Sequence, residues 1–100
     1  MTGSAPDRFR STFTSTTGGV MTEEAGAVTG ELELLCRPGP GGLRVLVRYA
    51  GAEEWYTVSG GPVRGETDDA GRRILRRLST PGPVVDGNEQ AATLEGFSGA

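Results

Sequence analysis

Apolar and polar side chains alternate most regularly in the middle of the chain, and this alternation predicts three short β-strands over residues 31–37, 43–50 and 54–59. Residues 38–42, which are all glycine or proline, separate the first two strands, and Gly51-Ala52 separates the second from the third. Glycine and proline favour turns, and proline cannot donate to a strand ladder. The sequence therefore predicts an antiparallel three-stranded β-meander.

One face of the predicted meander is apolar. A two-residue turn at Gly51-Ala52 places Val47 opposite Tyr56, and the same parity aligns Leu34 with Val45. A slip of one residue would set apolar against polar side chains along the hairpin, so the pattern disfavours it. The predicted apolar face contains Leu32, Leu34, Cys36, Leu43, Val45, Val47, Tyr56 and Val58.

An amphipathic helix follows the strands and is predicted to cover this face. Thr67 is its expected N-cap, and the helix runs to about Ser79 because it must end before Pro81-Gly82-Pro83. Its apolar side contains Ile74, Leu75 and Leu78, and the opposite side contains Arg72, Arg73, Arg76 and Arg77. The predicted fold is α+β: a three-stranded antiparallel β-meander packed against one amphipathic helix.

Residues 1–29 differ from the rest of the chain. They are rich in glycine, serine, threonine and alanine and show neither helical nor strand periodicity, so they bury too little to offset their ordering entropy. We expect a disordered or flexible N-terminal tail here, followed by a small α+β domain over residues 30–100. Phe9 and Phe13 are the exceptions, because either side chain can dock onto an apolar surface.

The chain contains no histidine and no lysine, and this narrows its chemistry. Histidine is the most common general base and metal ligand, and lysine supplies Schiff bases and the phosphate-binding ammonium of P-loops. We therefore expect a non-enzymatic protein with no catalytic residues, metal or cofactor. The lone Cys36 cannot form an internal disulfide and is expected to act as a small hydrophobe, with a reactive or metal-binding thiol as the alternative.

The charge balance argues against general binding to nucleic acids or anionic membranes. All ten basic residues are arginine, a pattern that also fits a high-GC bacterial genome, and thirteen acidic residues leave a net charge of −3. No apolar run approaches the ~18 residues of a membrane span. Polar residues follow Arg8 and Arg10, where a signal peptide needs an apolar segment. These features predict a small soluble, cytoplasmic protein without a membrane partner.

The second face of the predicted sheet is the leading candidate site. It combines apolar and aromatic side chains with a charged rim, and tryptophan and arginine are enriched in binding hot spots. We expect it to bind an unidentified protein partner or to form a homodimer. The alternatives are that the tail or an N-terminal phenylalanine covers this face, or that Arg48 only stacks on Trp55. The predicted partner-binding residues are Leu35, Arg44, Leu46, Arg48 and Trp55.

The four helix arginines form a second, weaker candidate. They are predicted to provide a secondary electrostatic contact, and their structural alternative is a solvated helix face. A nucleic-acid-associated regulator using this helix is the competing functional hypothesis. No aromatic stacking platform accompanies the arginines, and this disfavours nucleic acid. The leading hypothesis is therefore an accessory or interaction protein.

Overall fold

The computed structural model describes residues 7–97, and its single helix and mostly antiparallel strands confirm the α+β class. One four-stranded sheet has the order β1-β4-β5-β6, and β2–β3 and β7–β8 form two small hairpins. The elements within the described range are β1 (Phe9–Thr14), β2 (Val20–Thr22), β3 (Gly26–Val28), β4 (Glu31–Gly39), β5 (Gly42–Tyr49), β6 (Tyr56–Thr57), α1 (Thr67–Leu78), β7 (Val84–Val85) and β8 (Asn88–Glu89).

The predicted three-stranded meander is part of a larger sheet. Strands β4, β5 and β6 follow the predicted order, but β1 adds a fourth strand beside β4. Val47 pairs with Tyr56 as predicted, whereas Leu34 pairs with Val47 rather than with Val45. The difference is two residues, so every side chain keeps its predicted face.

The two-residue shift arises because β4 continues through Pro38 to a tight turn at Pro40-Gly41. Pro38 is paired with Leu43, whose backbone amide and carbonyl both bond to Val63 instead. Pro38 and Leu43 therefore form a non-hydrogen-bonded pair, and the Pro38 nitrogen points away from β5. A proline at this position costs the ladder no hydrogen bond, which explains why it does not end the strand.

The described part of the predicted flexible tail is folded. Residues 9–14, 20–22 and 26–28 are strands, whereas residues 1–6 of the predicted tail, like residues 98–100 of the predicted domain, lie outside the described residues. Phe9 and Phe13 pack against the core from β1, and Val20 and Val28 are buried within it. The pairing of β1 with β4 therefore places both phenylalanines against the core.

Helix α1 packs against β1 and β4 and buries Ile74 and Leu78, with Leu75 partly buried. Its N-cap is Glu66 rather than Thr67, because the Glu66 carboxylate accepts hydrogen bonds from the two amides that follow Thr67. Among the described residues, no helix combines the length and apolar character needed to cross a bilayer.

The predicted apolar face is buried, apart from Tyr56, which is partly exposed. The helix is not its only cover, since the same core contains side chains from the β2–β3 hairpin and the C-terminal segment. Backbone hydrogen bonds tie these segments together: the Met21 amide donates to Ala92, and the Leu94 amide donates to Ser59. The additional core residues are Val20, Val28, Val63, Ala92 and Leu94.

Gly71 brings the helix close to the first strand. A β-carbon at this position would lie 2.4 Å from Cγ and 2.7 Å from Cβ of Phe9. The sequence indicates only that Gly71 weakens the helix, by up to ~1 kcal/mol relative to alanine. Its position shows a compensating role, because only glycine lets Phe9 lie directly against the helix.

Cys36 lies in the core on β4, and burial raises the pKa of its thiol to about 12. The thiolate is the reactive form, so the folded protein should hold Cys36 inert. We expect negligible labelling by a thiol-specific reagent near pH 8 and rapid labelling after denaturation. Labelling of the folded protein as fast as that of the denatured chain would contradict a buried, structural Cys36.

Candidate functional site

The outer face of the four-stranded sheet gathers charged and apolar side chains in successive cross-strand pairs. Along β4 and β5 these are Arg37 with Arg44, Leu35 with Leu46, and Glu33 with Arg48. The five predicted partner-binding residues all line one cavity of about 390 Å³ on this face. We call this cavity the arginine groove; it is lined by Arg8, Arg10, Glu24, Leu35, Arg37, Arg44, Leu46, Arg48, Trp55 and Thr57.

The two leucines of the groove are buried, contrary to the exposed apolar patch that the sequence predicts. Leu35 is 7% exposed and Leu46 is 6% exposed. They lie between longer side chains, and arginine stems readily cover apolar surface while their charged ends reach solvent. The surface that a partner meets is therefore made mainly of guanidinium groups and the partly exposed Trp55 indole.

Trp55, Arg48, Glu33 and Arg10 form a connected cluster on one side of the groove. The Arg48 guanidinium carbon lies 4.4 Å from the Trp55 ring centroid, which is the cation–π stacking that the sequence left open. Arg48 and Arg10 both donate to Oε1 of Glu33, at 3.1 and 3.0 Å. The Arg48 hydrogen bond is the main cause that holds the pKa of Glu33 below its usual value. This cluster fixes the Trp55 indole beside the groove.

Arg48 still has unused donor capacity. Its Nε atom is buried and has no hydrogen-bond partner among residues 7–97. Buried polar atoms are rarely left unsatisfied in native proteins, so each exception calls for an explanation. The atom is inaccessible in the free protein, so a ligand acceptor could reach it only after the Arg48 side chain had moved.

Arg37 and Arg44 carry an unbalanced positive charge at the other side of the groove. They face each other directly across β4 and β5, and no acidic side chain in the described part of the chain pairs with either. Like charges directly opposite each other destabilise a sheet. Arginine binds carboxylate and phosphate bidentately, so this cross-strand pair in one cavity is a candidate anion site.

A carboxylate of the protein itself already reaches the rim of the groove. Glu24, in the turn between β2 and β3, accepts hydrogen bonds of 2.7 Å from both the amide and the hydroxyl of Thr57. These hydrogen bonds lower the pKa of Glu24 below its usual value, with the hydroxyl as the largest cause. They also anchor the β2–β3 turn beside β6.

Five groove residues are absent from the site predicted from the sequence: Arg8, Arg10, Glu24, Arg37 and Thr57. The first three lie in the segment predicted to be disordered. A signal for Arg10 exists in the alternation along β1, where Phe9, Ser11 and Phe13 are partly buried and the residues between them are exposed. Arg37 was detectable as the β4 residue that shares a face with Leu35.

The helix arginines do not join the groove. They lie on α1, which packs on the inner face of the sheet, so the sheet separates them from the outer face. Arg72 pairs with Asp68 one turn earlier, and Arg77 donates to the backbone carbonyls of Thr93 and Glu95 at 2.9 and 2.7 Å. Arg77 thus holds the C-terminal segment, while Arg73, Arg76 and Arg77 line a separate cavity of about 280 Å³ with Thr80 and Phe97.

Two carboxylates lie in or next to the groove. Hydrogen bonds lower the pKa values of Glu24, which lines the groove, and of Glu33, which contacts the groove residues Arg10 and Arg48. Among the residues that the structure describes, no three histidine, cysteine or acidic side chains cluster as metal ligands.

No protein-family model, curated protein sequence or solved structure matches this chain.

Proposed function

We propose that this protein is a non-enzymatic interaction protein that binds an acidic segment of a protein partner through the arginine groove. The observation that carries the proposal is the cross-strand pair of Arg37 and Arg44, which lack an acidic counterpart in the described residues. Five of the ten arginines line one cavity, in a chain whose net charge is −3. Positive charge is therefore concentrated where an acidic ligand would gain most from it.

The unpaired arginines also link binding to stability. An acidic ligand would neutralise Arg37 and Arg44 and relieve their repulsion in the free protein. Trp55 lines the same cavity and is the only tryptophan in the chain. Its fluorescence therefore reports occupancy of the groove directly, without an added label.

We expect hexaglutamate to change Trp55 fluorescence, and we expect Arg37→Gln to weaken this binding about tenfold, which corresponds to ~1.4 kcal/mol. The same substitution should stabilise the free protein by about 0.2–1 kcal/mol, because it removes a like-charge pair. Fluorescence titration measures the first effect and urea denaturation the second. A purely structural arginine would not show these opposite effects.

Arg76→Gln is the matched control, since Arg76 is exposed on α1, away from the groove. Its affinity for hexaglutamate should stay within about twofold of the unmodified protein. Equal weakening by Arg37→Gln and Arg76→Gln would contradict a specific groove. The same would follow if hexaglutamate left Trp55 fluorescence unchanged and released no heat of binding.

Nucleic-acid binding by the helix arginines predicts a different result. A single-stranded oligonucleotide would then bind more tightly than hexaglutamate, and Arg76→Gln would weaken it. Its affinity would also fall steeply between about 50 and 200 mM salt, because counterions are released from phosphates. A homodimer formed through the groove would appear in sedimentation of the protein alone and would dissociate in Arg37→Gln. That outcome would overturn the acidic-partner proposal.

The cytoplasmic location predicted from the sequence remains a prediction.

A further inference from the structure

A second cavity adjoins the arginine groove. It has a volume of about 400 Å³ and is lined by Pro40, Val45, Val58, Gly61 and Pro62, together with Arg44 and Thr57. Arg44 and Thr57 also line the arginine groove, so the two cavities share a boundary. We call the second cavity the apolar cleft.

The apolar cleft forms where the chain leaves the sheet after β6. Thr57 pairs with Leu46, and the Val58 amide still donates to Val45, but the next contact with β5 is the bond pair between Val63 and Leu43. Residues 59–62 therefore bow away from β5, because four residues span a gap of one residue on that strand. The bow leaves an open space beside Arg44, with Val45 and Val58 at its base.

The walls of the cleft select an apolar group. The exposed Pro40 and Pro62 supply carbon surface, while Val45 and Val58 at the base are nearly fully buried. Arg44 is the one charged residue among the lining side chains. The volume falls within the range of about 300–1,000 Å³ that is common for ligand pockets. Mostly apolar lining with few polar groups at the edge is also typical of such sites.

We infer that the acidic segment bound by the arginine groove carries an aliphatic side chain beside its acidic residues, and that this side chain occupies the apolar cleft. The inference rests on the proposed function and names the ligand more closely. Arg44 stands at the boundary, so an acidic residue bound to Arg37 and Arg44 places the neighbouring residue of an extended peptide at the mouth of the cleft. The aliphatic group adds affinity by leaving water, and the acidic residues add charge complementarity.

The test compares two peptides of equal charge and similar size. One has four glutamates flanked by leucine at both ends, and the other has glutamine in place of each leucine. We expect the leucine peptide to bind about tenfold more tightly in a Trp55 fluorescence titration, since burying one leucine side chain supports at least that factor. It should also shift the methyl NMR signals of Val45 and Val58, whereas the glutamine peptide should not.

Pro40→Ser supplies the protein-side control, because Pro40 is exposed in the β4–β5 turn and forms one wall of the cleft. We expect the advantage of the leucine peptide to fall to about threefold in this variant, with the affinity for the glutamine peptide unchanged. Equal binding of both peptides, with the Val45 and Val58 methyl signals unmoved, would overturn the aliphatic-anchor inference and leave the groove proposal standing. Failure of both peptides to bind would overturn both.

Discussion

Gly71→Ala is expected to destabilise the protein by about 1–2 kcal/mol, although alanine is the better helix former. The added methyl group would lie 2.4 Å from Cγ of Phe9, and the affected Phe9 atoms sit too close to the backbone to move cheaply. Overpacking of this kind costs about 1–3 kcal/mol, which exceeds the gain in helix propensity of up to ~1 kcal/mol. Urea denaturation followed by Trp55 fluorescence measures the difference.

The double variant isolates the physical cause. In a Phe9→Gly background the obstructing Cβ and Cγ atoms are both gone, so Gly71→Ala should become stabilising by up to ~1 kcal/mol relative to that background. The sign of the effect therefore depends on Phe9, which occupies the segment that the sequence predicts to be disordered. If Gly71→Ala stabilises the unmodified protein, β1 does not pack against α1 as the structure describes.

Leu34→Ala is expected to destabilise the protein by about 3–5 kcal/mol, more than Gly71→Ala. Leu34 is fully buried on the inner face of β4, between Ser11 on β1 and Val47 on β5. Truncation would leave a cavity that strands on both sides prevent from closing. A domain of this size has a total stability of only about 5–15 kcal/mol, so the variant should be near the limit of folding. Chemical denaturation gives the value, and proteolysis reports unfolding if the variant is too unstable to titrate.

Leu35→Ala is the matched control, with the same chemical change at the next residue of the same strand. Leu35 is also buried, but it is covered on the outer face by arginine stems and Trp55 rather than by a second layer of the core. These flexible side chains can settle into the space, so we expect a loss near ~2 kcal/mol, at the low end of the Leu→Ala range. A larger loss for Leu35→Ala than for Leu34→Ala would mean that the outer face, not the inner face, holds the principal core.

The predictable part of the fold is the part with strong alternation. Residues 43–49 alternate almost without exception, and because side chains of a strand point to opposite faces in turn, the apolar face followed directly. The pairing of Val47 with Tyr56 was also correct, although the turn after β5 is centred on Ala50-Gly51 rather than on Gly51-Ala52, because the Ala52 amide donates to the Tyr49 carbonyl. The β4–β5 register was wrong by two residues because the hydrogen-bonding pattern that tolerates Pro38 depends on the partner of Leu43, which sequence alone does not reveal.

The first strand was missed for a different reason. Its inner positions are Phe9, Ser11 and Phe13, so its mean apolar content is low despite the correct alternation. Such a strand gains its stability from pairing with β4 and from contact with Gly71, both far away in the sequence. Local composition therefore indicated disorder where long-range contacts produce a strand.

The sequence predicted the central residues of the candidate site, but it did not predict which of their side chains are exposed to solvent. Five residues assigned to the outer face from the parity of β4, β5 and β6 do line one cavity. The burial of Leu35 and Leu46 depends on how long side chains fold over them, which strand parity does not determine. Because the sequence analysis did not predict β1, it did not place Arg8 and Arg10 at this site. The concentration of positive charge in the groove is therefore apparent only from the structure.

A groove built from guanidinium groups keeps its charge over the whole physiological pH range. Arginine does not deprotonate in proteins, and the pKa values of both Glu24 and Glu33 are held below the usual 4.5. The chain has no histidine, which is the side chain whose ordinary pKa lies near neutrality. Acidification within a living cell would leave its attraction for anions intact, so release of a bound acidic segment would have to come from competition or from modification of that segment.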